Sequence, residues 1–231
     1  MSKEKKNKNS SRPAILYIAT PFLAAAICVG ITAVAMIKPA DKLKVFANLA
    51  FMDNLKTGVS DETGLVIREN EIDTEHKGET YSDGEIIRPK FGELYALLRS
   101  EKLEVDIPVY WGSNSELLEH GACHASSSVL AGQKGNSVIS AHVDTFFADL
   151  DKMKEGDTVT LTTAYGEFIY KVREEITFDN SNRKYVTVSK DDRLTLYTCK
   201  NDILGASDQR IGVICDLEES RYYEPKKEAD E

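Results

Sequence analysis

The chain has 231 residues and four cysteines, carries a formal charge of −9 and is enriched in neither Gly nor Pro. Once an apolar N-terminal run and a linker are set aside, about 140 residues remain, enough for one domain with its own core. Lys3, Lys5, Lys6, Lys8 and Arg12 against Glu4 give residues 1–12 a net +4, which leaves −13 on the rest. That acidic body speaks against nucleic acid as a partner, since a phosphate backbone attracts Lys and Arg. The basic tail suits the anionic face of a membrane.

Residues 13–37 form an uncharged run of 25 rich in Ala, Ile, Leu and Val. At about 1.5 Å per helical residue it is long enough for the hydrocarbon layer of roughly 30 Å. Pro13 suits a first helical turn and Pro21 a tolerated kink. The cations just before it predict a cytoplasmic N-terminus and a body on the outside. A cleavable signal peptide is the alternative, with Ala33-Val34-Ala35 as a weak cleavage site. The run exceeds the roughly 7–15 residues of a signal-peptide core, which favours a retained anchor. No second apolar run of this length follows.

Residues 38–85 read as a juxtamembrane segment. Leu43, Phe46, Ala47 and Ala50 share a helical face within 38–56, whereas 61–84 is acidic, Gly-broken and weakly periodic, a flexible spacer. From 86 to 217 short strands dominate: 94–98, 105–110, 136–142, 158–163, 168–172, 185–188, 193–198 and 210–216. Tyr165-Gly166 makes a hairpin turn, and 115–120 a short helix with Ser115 as its cap. Many short strands and few helices predict a mainly β fold, a closed or nearly closed barrel, with a two-sheet sandwich as the alternative. Residues 218–231 read as a polar, frayed tail.

Cys28 falls in the apolar run and serves there as a small apolar residue. Cys123, Cys199 and Cys215 remain in the body; three is odd, so at least one thiol is unpaired. Cys123 and Cys215 are the candidates for a disulfide. Cys199 ends the strand-like run Leu194-Thr195-Leu196-Tyr197-Thr198. A buried, inert cysteine is the alternative to a reactive one. A thiol attacks an amide as thiolate, which a neighbouring cation favours. His142 likewise follows an apolar strand, and Arg210 opens the next strand after Cys199. Antiparallel pairing of 193–199 with 210–216 brings Cys199 and Arg210 together.

These residues resemble the sortase family. Leu194-Thr195-Leu196-Tyr197-Thr198-Cys199 is similar to its TLxTC signature. Ser140-Ala141-His142, followed by Val143-Asp144-Thr145-Phe146-Phe147, is similar to its histidine segment. The stretch from Ala148 to Asp157 resembles its L..L..GD stretch, and Asp208-Gln209-Arg210 before Ile211-Gly212-Val213 its arginine strand. The His-Val-Asp-Thr-Phe-Phe run is nearest to the class D type, from which Val143 departs. The Asp-Pro-aromatic lid of many pilus-building sortases is missing between Lys38 and Arg88.

The resemblance implies an eight-stranded sortase-type β-barrel over 86–217 and a cysteine transpeptidase in a Gram-positive-type envelope. Cys199 would attack an LPxTG-like sorting signal and form a thioester, which an amine then resolves. His142 would move the protons and Arg210 hold substrate and oxyanion. Thr198, His124 and Asp144 would bind or support. Implied partners are surface proteins or pilins bearing sorting signals, an amine from a peptidoglycan precursor or a pilin lysine, and membrane lipid.

No cofactor is expected. His120, Cys123 and His124 lack a matching second half for a metal site. Calcium at Glu116 and Glu119, or along Asp149, Asp151, Glu155 and Asp157, competes with a plain solvated face. Another envelope cysteine peptidase is one rival reading, although the His-before-Cys order is opposite to papain-type chains. A non-catalytic tethered binding domain is the other.

Overall fold

The computed structural model describes residues 72–103, 106–202 and 205–225, and positions 21, 23, 25–32, 58–59 and 66–67 before them. The chain divides into two compact units, Met1–Lys44 and Val45–Glu231. In the first, the described positions are helical, with Leu23, Ile27, Val29 and Ile31 exposed. Among the described residues no helix is long and apolar enough to cross a membrane. Most of the expected anchor, the basic tail and the stalk 38–56 lie outside the described residues.

The second unit begins with an antiparallel ladder of β1 (Gly58–Val59) and β2 (Val66–Ile67). Eight strands follow: β3 (Leu94–Arg99), β4 (Ile107–Trp111), β5 (Ala122–His124), β6 (Asn136–Ser140), β7 (Thr158–Thr163), β8 (Gly166–Asp179), β9 (Arg193–Asp202) and β10 (Gly205–Tyr222). They close in the order β10-β8-β7-β3-β4-β5-β6-β9. Closure removes the sheet edges that a short-stranded β domain would otherwise expose. The pairs β4/β5 and β6/β9 are parallel and the rest antiparallel.

Alternation sets the two faces. Along β9, Leu194 and Leu196 enter the main core with Ile139, Phe168, Val213 and Cys215, whereas Tyr197 packs in a separate cluster with Ile176, Phe178 and Ile214. The barrel end away from β9's C-terminus is pinned by tyrosines. Tyr95 Oη accepts from Ala131 N (2.7 Å), Tyr165 Oη donates to Ala131 O (2.9 Å) and Tyr222 Oη donates to Gly132 O (3.1 Å). Gly132 has φ +83°, and a Cβ there would strike Tyr222 and Phe168, so this turn needs glycine.

Several expectations change. The segment 185–188 is not a strand; its carbonyls bond to a side chain of β6. The stretch 122–124, read as a doubtful metal motif, is β5, and alternation sends its residues to opposite faces. Cys123 packs outward with Leu94, Tyr110 and Leu117, while His124 lies against Tyr95 and Trp111. The expected polar tail continues β10 to Tyr222, which is buried. The later part of the expected spacer binds that end: Tyr81 and Tyr222 exchange two backbone bonds of 2.8 Å, Gly84 bridges Pro225, and His76 stacks on Tyr223 at 4.0 Å. The helix Ser115–His120 is capped by Asn114, whose Oδ1 accepts from Leu117 N (2.7 Å), rather than by Ser115. Cys123 and Cys215 are both buried free thiols, not a disulfide.

Candidate active site

Strand register brings the three expected residues to one level. In the parallel pair β6/β9, Ser140 lies beside Tyr197. Two residues further along each chain stand His142, just past the end of β6, and Cys199, which shares a face with Tyr197 because side-chain direction repeats every second residue of a strand. In the antiparallel pair β9/β10, Arg210 lies directly opposite Cys199. With neighbouring strands about 4.8 Å apart, Cys199 and Arg210 sit side by side on the outer face of the barrel, and the segment that carries His142 leaves the end of the adjoining strand β6. Cys199 is exposed, His142 is exposed and Arg210 half-buried.

Each position has a local cause. β6 stops at Ser140, and the chain after His142 is held by Phe146 and Phe147, both buried; Phe147 N donates to His142 O (3.1 Å). The next inward position on β9 is Thr198, 1% exposed. Its hydroxyl donates to Ala141 O at 2.7 Å, tying the residue before His142 to the residue before Cys199. Thr198 therefore touches the histidine segment, not the solvent side. Arg210 Nη1 donates to Ser207 O (2.9 Å) and Gln209 O (3.1 Å). Asp179, opposite Gln209, has its carboxyl held below the usual range mainly by two bonds from Ser181, and also by the Arg210 charge.

The row below the trio is Ser140, Tyr197 and Gly212. Gly212 is buried, and a Cβ there would meet Leu196 O and the Tyr197 backbone. One side of this row is bordered by the connection 180–192 between β8 and β9. Its Tyr185 and Val186 pack on Ile176, Phe178, Ile214 and Tyr197, and the Tyr185 ring lies 5.3 Å from that of Phe178. Phe178 is directly opposite Arg210. A thiol flanked by a guanidinium on the next strand and by an imidazole at the end of β6 suits attack on a peptide bond, with a proton carrier on one side and a cation on the other.

His124 is fully buried, so it supports the barrel rather than meeting solvent. Its Nε2 is 3.0 Å from Val129 O, its Nδ1 has no hydrogen-bond partner, and burial pushes its pKa down to about 4. Asp144 lies exposed in the turn two residues after His142. The thiols of Cys123 and Cys215 are pushed up by burial, that of Cys123 to about 11. Among the described residues no three His, Cys, Asp or Glu side chains gather as a metal would need. Of the acids considered for calcium, Asp149 pairs with Lys152 (2.9 Å) and Asp157 accepts from Lys154 N (2.8 Å). Sequence reasoning missed Asn136, a buried amide between β9 and the bordering connection.

Known proteins share this architecture. Sortase D of Bacillus subtilis is 28% identical over 113 residues, covering 48% of this chain and 57% of that protein. Sortase A of Listeria monocytogenes is 32% identical over 101 residues, covering 42% and 45%. The chain thus spans about half the length of the curated relatives it matches. Among solved structures, Listeria monocytogenes sortase A superposes with a TM-score of 0.51 at 26% identity, over 56% of this chain and 90% of that one. A Clostridium perfringens sortase D5 transpeptidase gives 0.52 at 26% identity, over 57% and 82%. The family model of the sortase domain matches residues 98–218, from β3 into β10 and more than half of the chain. The chain belongs to the sortase family.

Proposed function

We propose that this member of a family of cysteine transpeptidases uses Cys199 to cut a sorting signal and join the acyl fragment to an amine. The observation that carries the reading is the register that sets Arg210 directly opposite Cys199 on β10 and β9, with His142 two residues past the end of the adjoining β6. The Cys199 thiolate attacks the carbonyl carbon of the scissile peptide bond. Arg210 stabilises the oxyanion that forms. His142, as imidazolium, gives its proton to the departing amide nitrogen as the C–N bond breaks, leaving a thioester. An incoming amine then attacks the thioester, His142 takes the proton it sheds, and the new amide leaves as the thiolate is restored. Thr198 acts on this site through Ala141, as a positioning residue.

The substrate is an LPxTG-like peptide on a surface protein or pilin, and the amine comes from a peptidoglycan precursor or a pilin lysine. Support for such partners is the sortase domain over residues 98–218 and the exposed thiol of Cys199 on the outer face of the barrel. The chain is held in the membrane by 13–37, N-terminus inside. Support for that is the uncharged run itself and the exposed apolar side chains of its described helical part, which suit a lipid surround. The test is a fluorogenic LPxTG-like peptide panel with an added amine, read by mass spectrometry. A thioester on Cys199 and an amine-linked product are expected, both lost in Cys199→Ala. A Cys199→Ala chain with full activity sinks the reading.

A further inference from the structure

Asn136 opens β6 at the far end from His142 and is 1% exposed. Its amide makes three hydrogen bonds, which use both N–H donors and one acceptor position. Its Nδ2 donates to Tyr185 O (2.9 Å) and to Thr187 O (3.0 Å), and its Oδ1 accepts from Thr195 Oγ1 (2.7 Å). The hydroxyl donor on one side and two carbonyls on the other fix which way the amide faces.

The two carbonyls belong to the connection that borders the groove. At its start, Asn180 N donates to Asp208 O (2.8 Å). At its end, Gly135 N donates to Asp192 Oδ1 and Arg193 N to Gly135 O, both at 2.9 Å. Between those ends it pairs with no strand; its middle is held by the side chains of Tyr185 and Val186 and by the Asn136 amide. Those two side chains cover the outer sheet face from which Cys199 and Arg210 project.

We propose that Asn136 is a positioning residue for substrate: it latches the 180–192 connection onto the catalytic face, so that this wall of the groove is formed before a peptide arrives. Without the latch, a peptide must order the wall as it binds, and that cost falls on binding rather than on the chemistry of the thiol. The inference rests on the reading of Cys199 as nucleophile, but the latch itself has a readout that does not.

The experiment uses the full chain. Asn136→Ala removes the latch. Asn136→Asp keeps the size and the acceptor for Thr195 while losing both donors, and so covers the case in which the alanine variant fails to fold. Thr195→Val removes the other bond of the amide and leaves the latch. Loss of two hydrogen bonds predicts a KM for peptide raised roughly 10-fold in the Asn136 variants, with kcat and the alkylation rate of Cys199 unchanged. Hydrogen exchange at 183–188 accelerates while β9 and β10 keep their protection. Thr195→Val leaves KM and that exchange as in the wild type.

A wild-type KM with unchanged exchange at 183–188 overturns the proposal. So does a Thr195→Val variant that raises KM as much as Asn136→Asp, because the effect then belongs to core packing. If the wild-type chain turned over no peptide, the reading of the site would fall, and exchange at 183–188 would still decide the latch.

Discussion

Replacing Thr198 by Val separates positioning from packing at the site. Valine keeps the shape but removes the hydroxyl that donates to Ala141 O at 2.7 Å. Ala141 is itself buried, at 6% exposure. A buried carbonyl stripped of its donor costs about 1–3 kcal/mol, which lowers the melting temperature by about 2–4 °C per kcal/mol for a domain of this size. Serine is the matched control, since it keeps the donor and loses one methyl, about 1 kcal/mol. The two variants thus overlap in stability and differ in whether β9 still holds the residue before His142. A displacement of about 1 Å at a reacting group can cost 10²-fold, so kcat/KM of Thr198→Val is expected to fall by about 10–100-fold, and Thr198→Ser to stay close to wild type. The assay is peptide turnover with an amine acceptor, beside thermal unfolding of each variant. Equal rate losses in the two variants, or a destabilised valine variant with its rate intact, would refute the positioning argument.

Other outcomes follow from the same geometry. Gly212→Ala puts a Cβ against Leu196 O and the Tyr197 backbone, and overpacking of this kind costs about 1–3 kcal/mol or more; chemical unfolding is expected to show it as an earlier midpoint. Arg210→Ala is expected to lower kcat/KM by about 10²–10³-fold with little change in unfolding, measured with the same peptide. Among the barrel cysteines, iodoacetamide should modify exposed Cys199 in the native chain and reach buried Cys123 and Cys215 only after denaturation, with peptide mapping as the readout.

His124 gives a pH signature. Burial lowers its folded pKa to about 4, below the unfolded value of about 6.5. The unfolded chain therefore binds the extra proton first. The stability tied to the neutral ring is full above pH 6.5 and is lost as pH falls through about 4, on the order of 3 kcal/mol in all. His124→Phe keeps a ring against Tyr95 and Trp111, and Val129 O still accepts from Ser137 Oγ (2.8 Å). The difference in melting temperature between wild type and this variant should therefore shrink, then reverse in sign or vanish, as pH drops across that window. A constant difference would count against the assignment.

Much of this site was legible in the sequence because its residues terminate regular strands. Alternation marks 193–198 and 210–216 as strands, and an antiparallel hairpin leaves little choice but to set Arg210 beside Cys199. The register Arg210 to Cys199 is what that reasoning required. The placement of His142 was less accessible, because the parallel contact of β6 with β9 leaves no local turn signal. Thr198 lay in a recognisable signature, but only the packed barrel shows that its hydroxyl goes to Ala141. The segment 185–188 reads as a strand and is not one, and the amide bonds of Asn136 leave no mark in the sequence, for one reason. The segment is rich in β-formers, yet its carbonyls are bonded by an amide 49 and 51 residues away in sequence, and side-chain partners at that range carry no periodicity. The extension of β10 to Tyr222 was hidden by Glu218 and Glu219, which are exposed between the inward positions.

The two halves of the site differ in how they come to exist. Cys199 and Arg210 are neighbours on one hairpin, eleven residues apart, a contact that short-range closure forms early and cheaply. His142 joins them only through the β6/β9 seam, across 57 residues, with β7 and β8 emerging in between. Such distant parallel pairing is slow. The thiol's contact with arginine is thus local, whereas its contact with the histidine segment waits on the distant pairing of β6 with β9. One half of the site is a property of a hairpin, and the other is a property of the closed ring of strands.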